Sequence, residues 1–352
     1  MMAEAQVVAV AAQPKSSKRK PPSMYDVARL AGVSQTTVSF VVNNAPTTNI
    51  PQETRDRVWA VVEELGWQPN AIARGLRMRH SHTIGLISDE IATSSHAGKI
   101  IQGAQDAAWA YTKMLLVINT GNNRDIERAA LKMMLERRVE GLIYATMYHR
   151  VLVPPPAQAQ VPIVLLDCYV ADRSLPSVVP DEVQGGRTAT EVLLRKGHRR
   201  IGFINEVGSL TAMFGRLDGY KQALASYGVP FDPSLVLAGA SIAAEGYRCT
   251  IELMQLPERP SALFCFNDSM AMGAYDAVKQ LGLAIPNDVA IVGFDNLEVI
   301  AAQLHPPLTT MELPHYQMGQ WAVQYLLDHA DDSDAEPIQQ TIECPLIERS
   351  SV

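Results

Sequence analysis

Several polar residues stand immediately beyond apolar, strand-like runs, and their types suit the capture of a hydroxylated small molecule. Asp89 comes just after Thr83–Ile87, Asp167 follows Ile163–Leu166, Asn267-Asp268 follow Phe264–Phe266, and Asp295-Asn296 follow Gly293-Phe294. Arg216 opens the helix-like stretch that contains Asp218, Gly219 and Tyr220. Carboxylates and amides accept or share hydroxyl protons, and a guanidinium donates in a rigid fork. A site that pairs every hydroxyl rejects analogues lacking one, because its own buried groups would be left unsatisfied. Any single Asp or Asn at a strand end also serves as an ordinary helix cap, and Asp268 is read that way. Catalytic signatures are missing. There is no Gly-x-Ser-x-Gly, no Gly-rich phosphate loop with Lys and no His-x-x-x-His, and Gly185-Gly186 runs into Arg187-Thr188 rather than a nucleotide fingerprint. The cysteines Cys168, Cys249, Cys265 and Cys344 have no CxxC spacing, so neither a metal site nor a disulfide framework is expected. No enzyme activity and no cofactor are predicted.

The elements that must position these residues alternate in period. Thr83–Ile87, Met114–Ile118, Gly141–Tyr144 and Ile163–Leu166 read as strands, with helices over about 98–111 and 125–137. After Asp181 the theme restarts. Helices are predicted at about 186–196, 217–227 and 269–281, and strands at Ile201–Ile204, Ala262–Phe266 and Val289–Phe294. This βαβα order implies buried parallel sheets. Two such halves predict an α/β body of two Rossmann-like lobes, with ligand held beyond the carboxyl ends of the strands.

The first 80 residues are different. The chain has 352 residues and a formal charge of −7, yet Lys15 to His80 holds ten Lys/Arg against five Asp/Glu, a local +5 that leaves −12 for the rest. A basic head on an acidic body points to a nucleic-acid-facing module. Met24, Val27, Ala28 and Ala31 recur at helical spacing, Gly32 interrupts, and Ser34 caps a second helix from Gln35 to Asn43. A third runs from Gln52 to Leu65 between Pro51 and Gly66. Two short helices around Ala-Gly-Val-Ser have the spacing of a DNA-binding helix-turn-helix. That geometry sets Gln35 and Thr36 at base edges of the major groove, with Phe40 on the face of Thr36. Spacing alone serves equally well for helix pairs that never meet DNA. The apolar run Val7–Ala12 precedes its basic cluster instead of following one, so it is not read as a secretion signal, and no run approaches a membrane span.

Met24–Ser34, Thr37-Val38-Ser39, Asn43, Glu53–Val58 and Glu64–Ala71 together resemble the signature of the LacI/GalR family of ligand-responsive bacterial regulators, and the likeness covers nearly everything after residue 22. It implies an all-α helix-turn-helix head and a two-lobed, periplasmic-binding-protein-like sensor. It also implies DNA-facing roles for Tyr25, Ser34, Thr37, Ser39, Asn43 and Arg55 beside Gln35, Thr36 and Phe40. Residues 70–80 take the family's hinge position. Asn70 is a good N-cap, but a helix this short is marginal alone, so it is expected to fold on DNA. Arg74 would neutralise phosphate and Leu76 would wedge the minor groove. Arg-Leu-Asp-Gly-Tyr at 216, Phe-Asn-Asp at 266 and Gly-Phe-Asp at 293 match motifs whose Arg, Asn and Asp hold effector, which marks Arg216, Asn267 and Asp295, with Asp89 and Asp167 at neighbouring strand ends. His96 falls where the family often carries a Pro-Phe pair near ligand. At Phe40 the family usually has an arginine that helps to read guanine, and Phe has no donor to do so.

The expected organisation is a disordered tail over 1–22, the head over 23–69, a hinge over 70–80 and a sensor over 81–352. Its N-lobe takes about 81–180 and 313–335, and its C-lobe about 181–312 and 336–352. The expected function is a cytoplasmic, sequence-specific repressor that binds pseudo-palindromic operator DNA as a homodimer under control of a small molecule, a sugar for preference. The rival readings are a solute-binding protein for a sugar transporter, an enzyme on the same scaffold, and a corepressor-type regulator answering to a nucleobase.

Overall fold

The computed structural model describes residues 22–43, 49–68, 81–93, 98–153, 161–329 and 336–352. Residues 1–21 of the expected tail, the hinge residues Asn70, Arg74 and Leu76, and His96 lie outside the described residues. The chain divides into two compact units, 1–79 and 80–352.

In the first unit, α1 (Met24–Ala31), α2 (Gln35–Val42) and α3 (Gln52–Leu65) enclose a core of Val27, Ala31, Val38, Val41, Val58, Val61 and Val62, closed by Trp67. The turn between α1 and α2 works because Gly32 adopts φ 65° and ψ 34°, a left-handed conformation that glycine enters without steric cost. Ser34 then starts α2, its Oγ accepting from the Thr37 N–H at 3.0 Å. Arg57 ties α3 to α1 by donating from Nε to the Ala31 carbonyl at 2.9 Å.

The second unit holds two six-stranded sheets. The first is built from β1 (Thr83–Ser88), β2 (Met114–Asn119), β3 (Gly141–Leu152), β4 (Ile163–Val170) and β5 (Ser177–Pro180), with α4 (Gly98–Ala110) and α5 (Arg124–Glu136) between strands. The chain then crosses to α6 (Glu182–Arg195), β6 (Ile201–Glu206), α7 (Thr211–Ser226), β7 (Val236–Gly239), α8 (Ala243–Met254), β8 (Ala262–Cys265), α9 (Asp268–Gln280), β9 (Ala290–Asp295), α10 (Glu298–Ala301) and β10 (Thr309–Glu312). It returns through α11 (His315–Asp328) and β11 (Gln339–Ile342), and crosses a third time to β12 (Leu346–Ile347). The sheet orders are β11-β5-β4-β3-β1-β2 and β12-β10-β9-β8-β6-β7, all parallel except β12. Both sheets are buried between helices, as parallel sheets require.

Two expectations need correction. Residues 339–342 pair with β5 in the first lobe and so do not belong to the C-lobe. Glu343-Cys344-Pro345 separates that strand from β12 on the other sheet, with a proline that has no donor for a ladder. Arg216 does not open its helix either. α7 begins at Thr211, capped by Leu210 without a side-chain hydrogen bond, which is why no start signal is visible there.

Candidate functional site

The head presents an exposed face. Tyr25, Gln35, Thr36 and Phe40 are exposed, whereas Val38 and Val41 on the other side of α2 are buried. Ser34 and Thr37 share a hydroxyl contact of 2.9 Å, Asn43 donates to the Ser39 carbonyl at 2.7 Å, and Arg55 Nε donates to the Ile50 carbonyl at 3.3 Å. The first set is available to a partner, the Ser34 and Asn43 contacts fix the two ends of α2, and Arg55 ties α3 to the segment before it.

In the body, the site is made by a defect in strand pairing. β3 and β4 pair in register from Leu142/Ile163 to Ala145/Leu166, and again from Arg150/Cys168 onward. Thr146, Met147, Tyr148 and His149 therefore stand opposite the single residue Asp167. Such a bulge re-aims side chains out of the sheet. Asp167 takes φ 56° there, a left-handed conformation that Asp tolerates better than most residues. Thr146 Oγ1 lies 2.9 Å from both the Tyr148 and the Asp167 carbonyls and pins the bulge. On the opposite lobe α6 and α7 cross closely. A Cβ on Gly186 would lie 2.4 Å from the Arg216 carbonyl oxygen, and one on Gly219 would lie 2.1 Å from that of Val183. That contact brings Arg216 Nε to Glu182 Oε2 at 2.7 Å.

The bulge and the second lobe face each other across a cavity of about 210 Å³, lined by Met147, Tyr148, His149, Asp167, Glu182, Arg216, Ser241, Phe266, Asn267 and Asp295 among others. Asp167, Arg216, Asn267 and Asp295, expected on sequence grounds, thus come together. Asp89 does not join them. Its carboxylate accepts from the Met147 N–H at 3.0 and 3.2 Å and from Arg150 Nη2 at 2.9 Å, so it braces the bulge from behind. Asp268 is not the cap of α9. Asn267 is, accepting from the Met270 N–H at 2.8 Å, while Asp268 is buried against Thr310 Oγ1 at 2.6 Å and the Leu297 N–H at 2.7 Å. His149, Glu182 and Ser241 were not anticipated. Glu182 does stand two residues past a strand, but β5 is only four residues long and leaves a weak signal.

Electrostatically, three carboxylates surround one cation. Burial works against the charge of Arg216, but Glu182 and Asp295 outweigh it and hold the guanidinium firmly protonated. Its plane also lies over Phe294 at 3.6 Å and Phe266 at 4.3 Å. Burial pushes the Asp167 carboxyl well above the usual range, with Glu182 adding to the effect. Burial also pulls His149 down to about 4, aided by Arg173 and Arg216, so its imidazole is neutral near pH 7 and offers one donor and one acceptor. Both ring nitrogens of His149, Oδ1 of Asp167 and Oγ of Ser241 are buried without a hydrogen-bond partner among the described residues. Native interiors leave few such atoms, and here they gather in one cavity from both lobes. At its rim, Asp295 and Asn296 take φ 108° and 49°, backbone strain of the kind that collects at ligand sites.

A helix-turn-helix unit joined to a two-lobed parallel-sheet body, with an unsatisfied polar cavity at the strand ends, defines a ligand-responsive DNA-binding regulator. The comparisons agree. Residues 23–70 match the bacterial regulatory proteins of the lacI family, and residues 81–350 match the periplasmic binding proteins and sugar binding domain of the LacI family. The chain belongs to the LacI family of transcriptional regulators. It is 35% identical over 337 residues to the HTH-type transcriptional repressor PurR of Escherichia coli, covering 93% of this chain and 96% of that one. The lac repressor dimer bound to operator and the anti-inducer ONPF is 28% identical with a TM-score of 0.78, over 94% and 99% of the two chains. The transcriptional regulator CelR in complex with cellobiose is 28% identical with a TM-score of 0.66, over 94% and 100%. Among the described residues, no helix is long and apolar enough to cross a membrane.

Proposed function

We propose that this chain is a cytoplasmic, homodimeric repressor whose grip on operator DNA is set by an uncharged, polyhydroxylated small molecule of the sugar class, without catalysis. The observation that carries this is the cluster of unpartnered atoms on His149, Asp167 and Ser241, drawn from both lobes around one cavity. Hydroxyl groups can donate to Asp167 and can both donate to and accept from His149 and Ser241, whereas an anion would meet Asp167, Glu182 and Asp295 against Arg216 alone. A ligand bridging the lobes favours one lobe arrangement, and by linkage DNA alters its affinity by the factor by which it alters that of DNA. The operator and cellobiose complexes of the relatives are in keeping with both halves of this reading. In the test, a thermal-shift panel of sugars and nucleobases is followed by operator binding with each hit. A sugar that raises the melting temperature and changes operator affinity supports the proposal. A nucleobase hit, or a sugar hit that leaves operator affinity unchanged, overturns it.

On the head, we assign base-edge contacts to Gln35 and Thr36, and supporting contacts to Tyr25, Ser34, Thr37, Ser39, Asn43 and Arg55. Phe40, 38% exposed on the same helix, can pack on a thymine methyl but cannot donate to guanine. Selection from random DNA is therefore expected to return a half-site altered at the base that Arg at this position would read. Recovery of the common family operator unaltered would refute the assignment.

A further inference from the structure

A second cavity, of about 500 Å³, lies wholly within the first lobe, at the carboxyl ends of β1 and β2 and the start of α5. Its lining includes Asp89, Asn122, Arg124, Glu127, Tyr144 and Arg150. Tyr144 is 5% exposed, and its hydroxyl is buried with no hydrogen-bond partner among the described residues. Arg150 is engaged on one edge only. Nη2 reaches Asp89 at 2.9 Å and Asn122 Oδ1 at 3.2 Å, while Nε is buried without a partner. Arg124 is the first residue of α5 and forms no ion pair among the described residues, whereas Arg128 one turn on is paired with Asp125. Asn123 already caps the Asp125 and Ile126 N–H groups, so the helix contributes the positive end of its dipole rather than free donors. Two arginines with unused donors, a helix N-terminus and an orphaned phenol face one cavity, against the carboxylates of Asp89, which is already engaged, and Glu127.

We propose that this cavity is a second ligand site, separate from the interlobe cleft, for a small metabolite carrying an oxyanion. Arg124 and the free edge of Arg150 hold the oxyanion, the Tyr144 hydroxyl donates to it, and Glu127 accepts from a neighbouring hydroxyl of the same molecule. The site also reaches the cleft. Asp89 holds both Arg150 and the Met147 N–H, and Thr146 lines this cavity while its hydroxyl pins Asp167. An anion that draws Arg150 from Asp89 loosens the bulge bearing Met147 and His149, so the two ligands are coupled. The coupling, though not the site, rests on the effector reading above.

The test titrates the full chain calorimetrically with inorganic phosphate at fixed ionic strength in chloride, without DNA or sugar, and with malonate in a parallel arm. Saturable single-site binding is expected, weakened at least tenfold in Tyr144→Phe and in Arg124→Gln and retained in the cleft variant Ser241→Ala. Tyr144→Phe removes only an unpartnered hydroxyl, so its fold is preserved. Phosphate binding without malonate binding assigns a phosphoryl group, and the reverse assigns a carboxylate. No saturable binding of either, or binding unaffected by both substitutions, overturns the site whatever the fate of the sugar-gated reading.

Discussion

Arg216→Met is expected to destabilise the body by about 3–5 kcal/mol and to abolish its response to effector. The methionine keeps much of the packing between Phe266 and Phe294, so lost volume is a minor part of the effect. What disappears is the cation between Glu182 and Asp295, together with the donor to the Phe266 carbonyl, where Arg216 Nη1 now stands at 2.5 Å. Glu182 is 5% exposed and its carboxyl is already raised by burial despite Arg216. Without the guanidinium it rises further. A carboxyl whose folded pKa exceeds its unfolded one costs stability as pH climbs between the two values. The deficit of the variant should therefore be larger at pH 8 than at pH 5. Urea denaturation at both pH values reads this directly. Adding Glu182→Gln to the variant should restore part of the loss, the coupling that a double-mutant cycle measures. Equal midpoints for wild type and variant at pH 8 would show that the cluster is not held together by charge.

The sequence conveys the three helices of the head because most of their ends are announced: Gly32 after α1, Ser34 before α2, and Pro51 and Gly66 around α3. The body is legible as alternating strands and helices, since buried parallel strands are continuous apolar runs. The cleft is harder. The apolar run of β3 ends at Ala145, where the chain enters Thr146–His149, yet the strand resumes beyond the bulge and extends to Leu152. No periodicity marks a strand whose pairing skips four residues, so nothing in the sequence points to His149. Asp89 shows the converse failure. It sits at a strand end as the cleft residues do, but the bulge stands in front of it and takes its carboxylate for support. Sequence rules locate the end of a sheet, whereas the partner strand decides which side chains at that end remain unspent.

Asp167 is such an unspent side chain, and Asp167→Asn should move two measurements in opposite directions. The empty protein should become more stable near pH 7, because the amide carries no charge for burial to penalise. Asparagine has the same shape and is one of the few residues at ease in the left-handed conformation that φ 56° demands, so the backbone adds little. The pH profile identifies the cause. Because burial, with Glu182, holds the folded carboxyl well above its ordinary value, wild-type stability should fall as pH rises from about 3.9 toward that raised pKa and then level off. The asparagine variant lacks this descent, so the two profiles converge at the acid end and separate above it. Effector binding should weaken by roughly 2- to 13-fold, which corresponds to the ~0.5–1.5 kcal/mol that one hydrogen bond contributes. Urea titrations from pH 4 to 8, and calorimetry with the sugar identified by the panel, read both effects. Parallel pH profiles, or a variant no more stable than wild type at pH 7, would show that the carboxyl is satisfied in the empty protein. A carboxylate kept for the fold loses stability when its charge is removed, so a gain in stability joined to a loss of ligand marks one kept for binding.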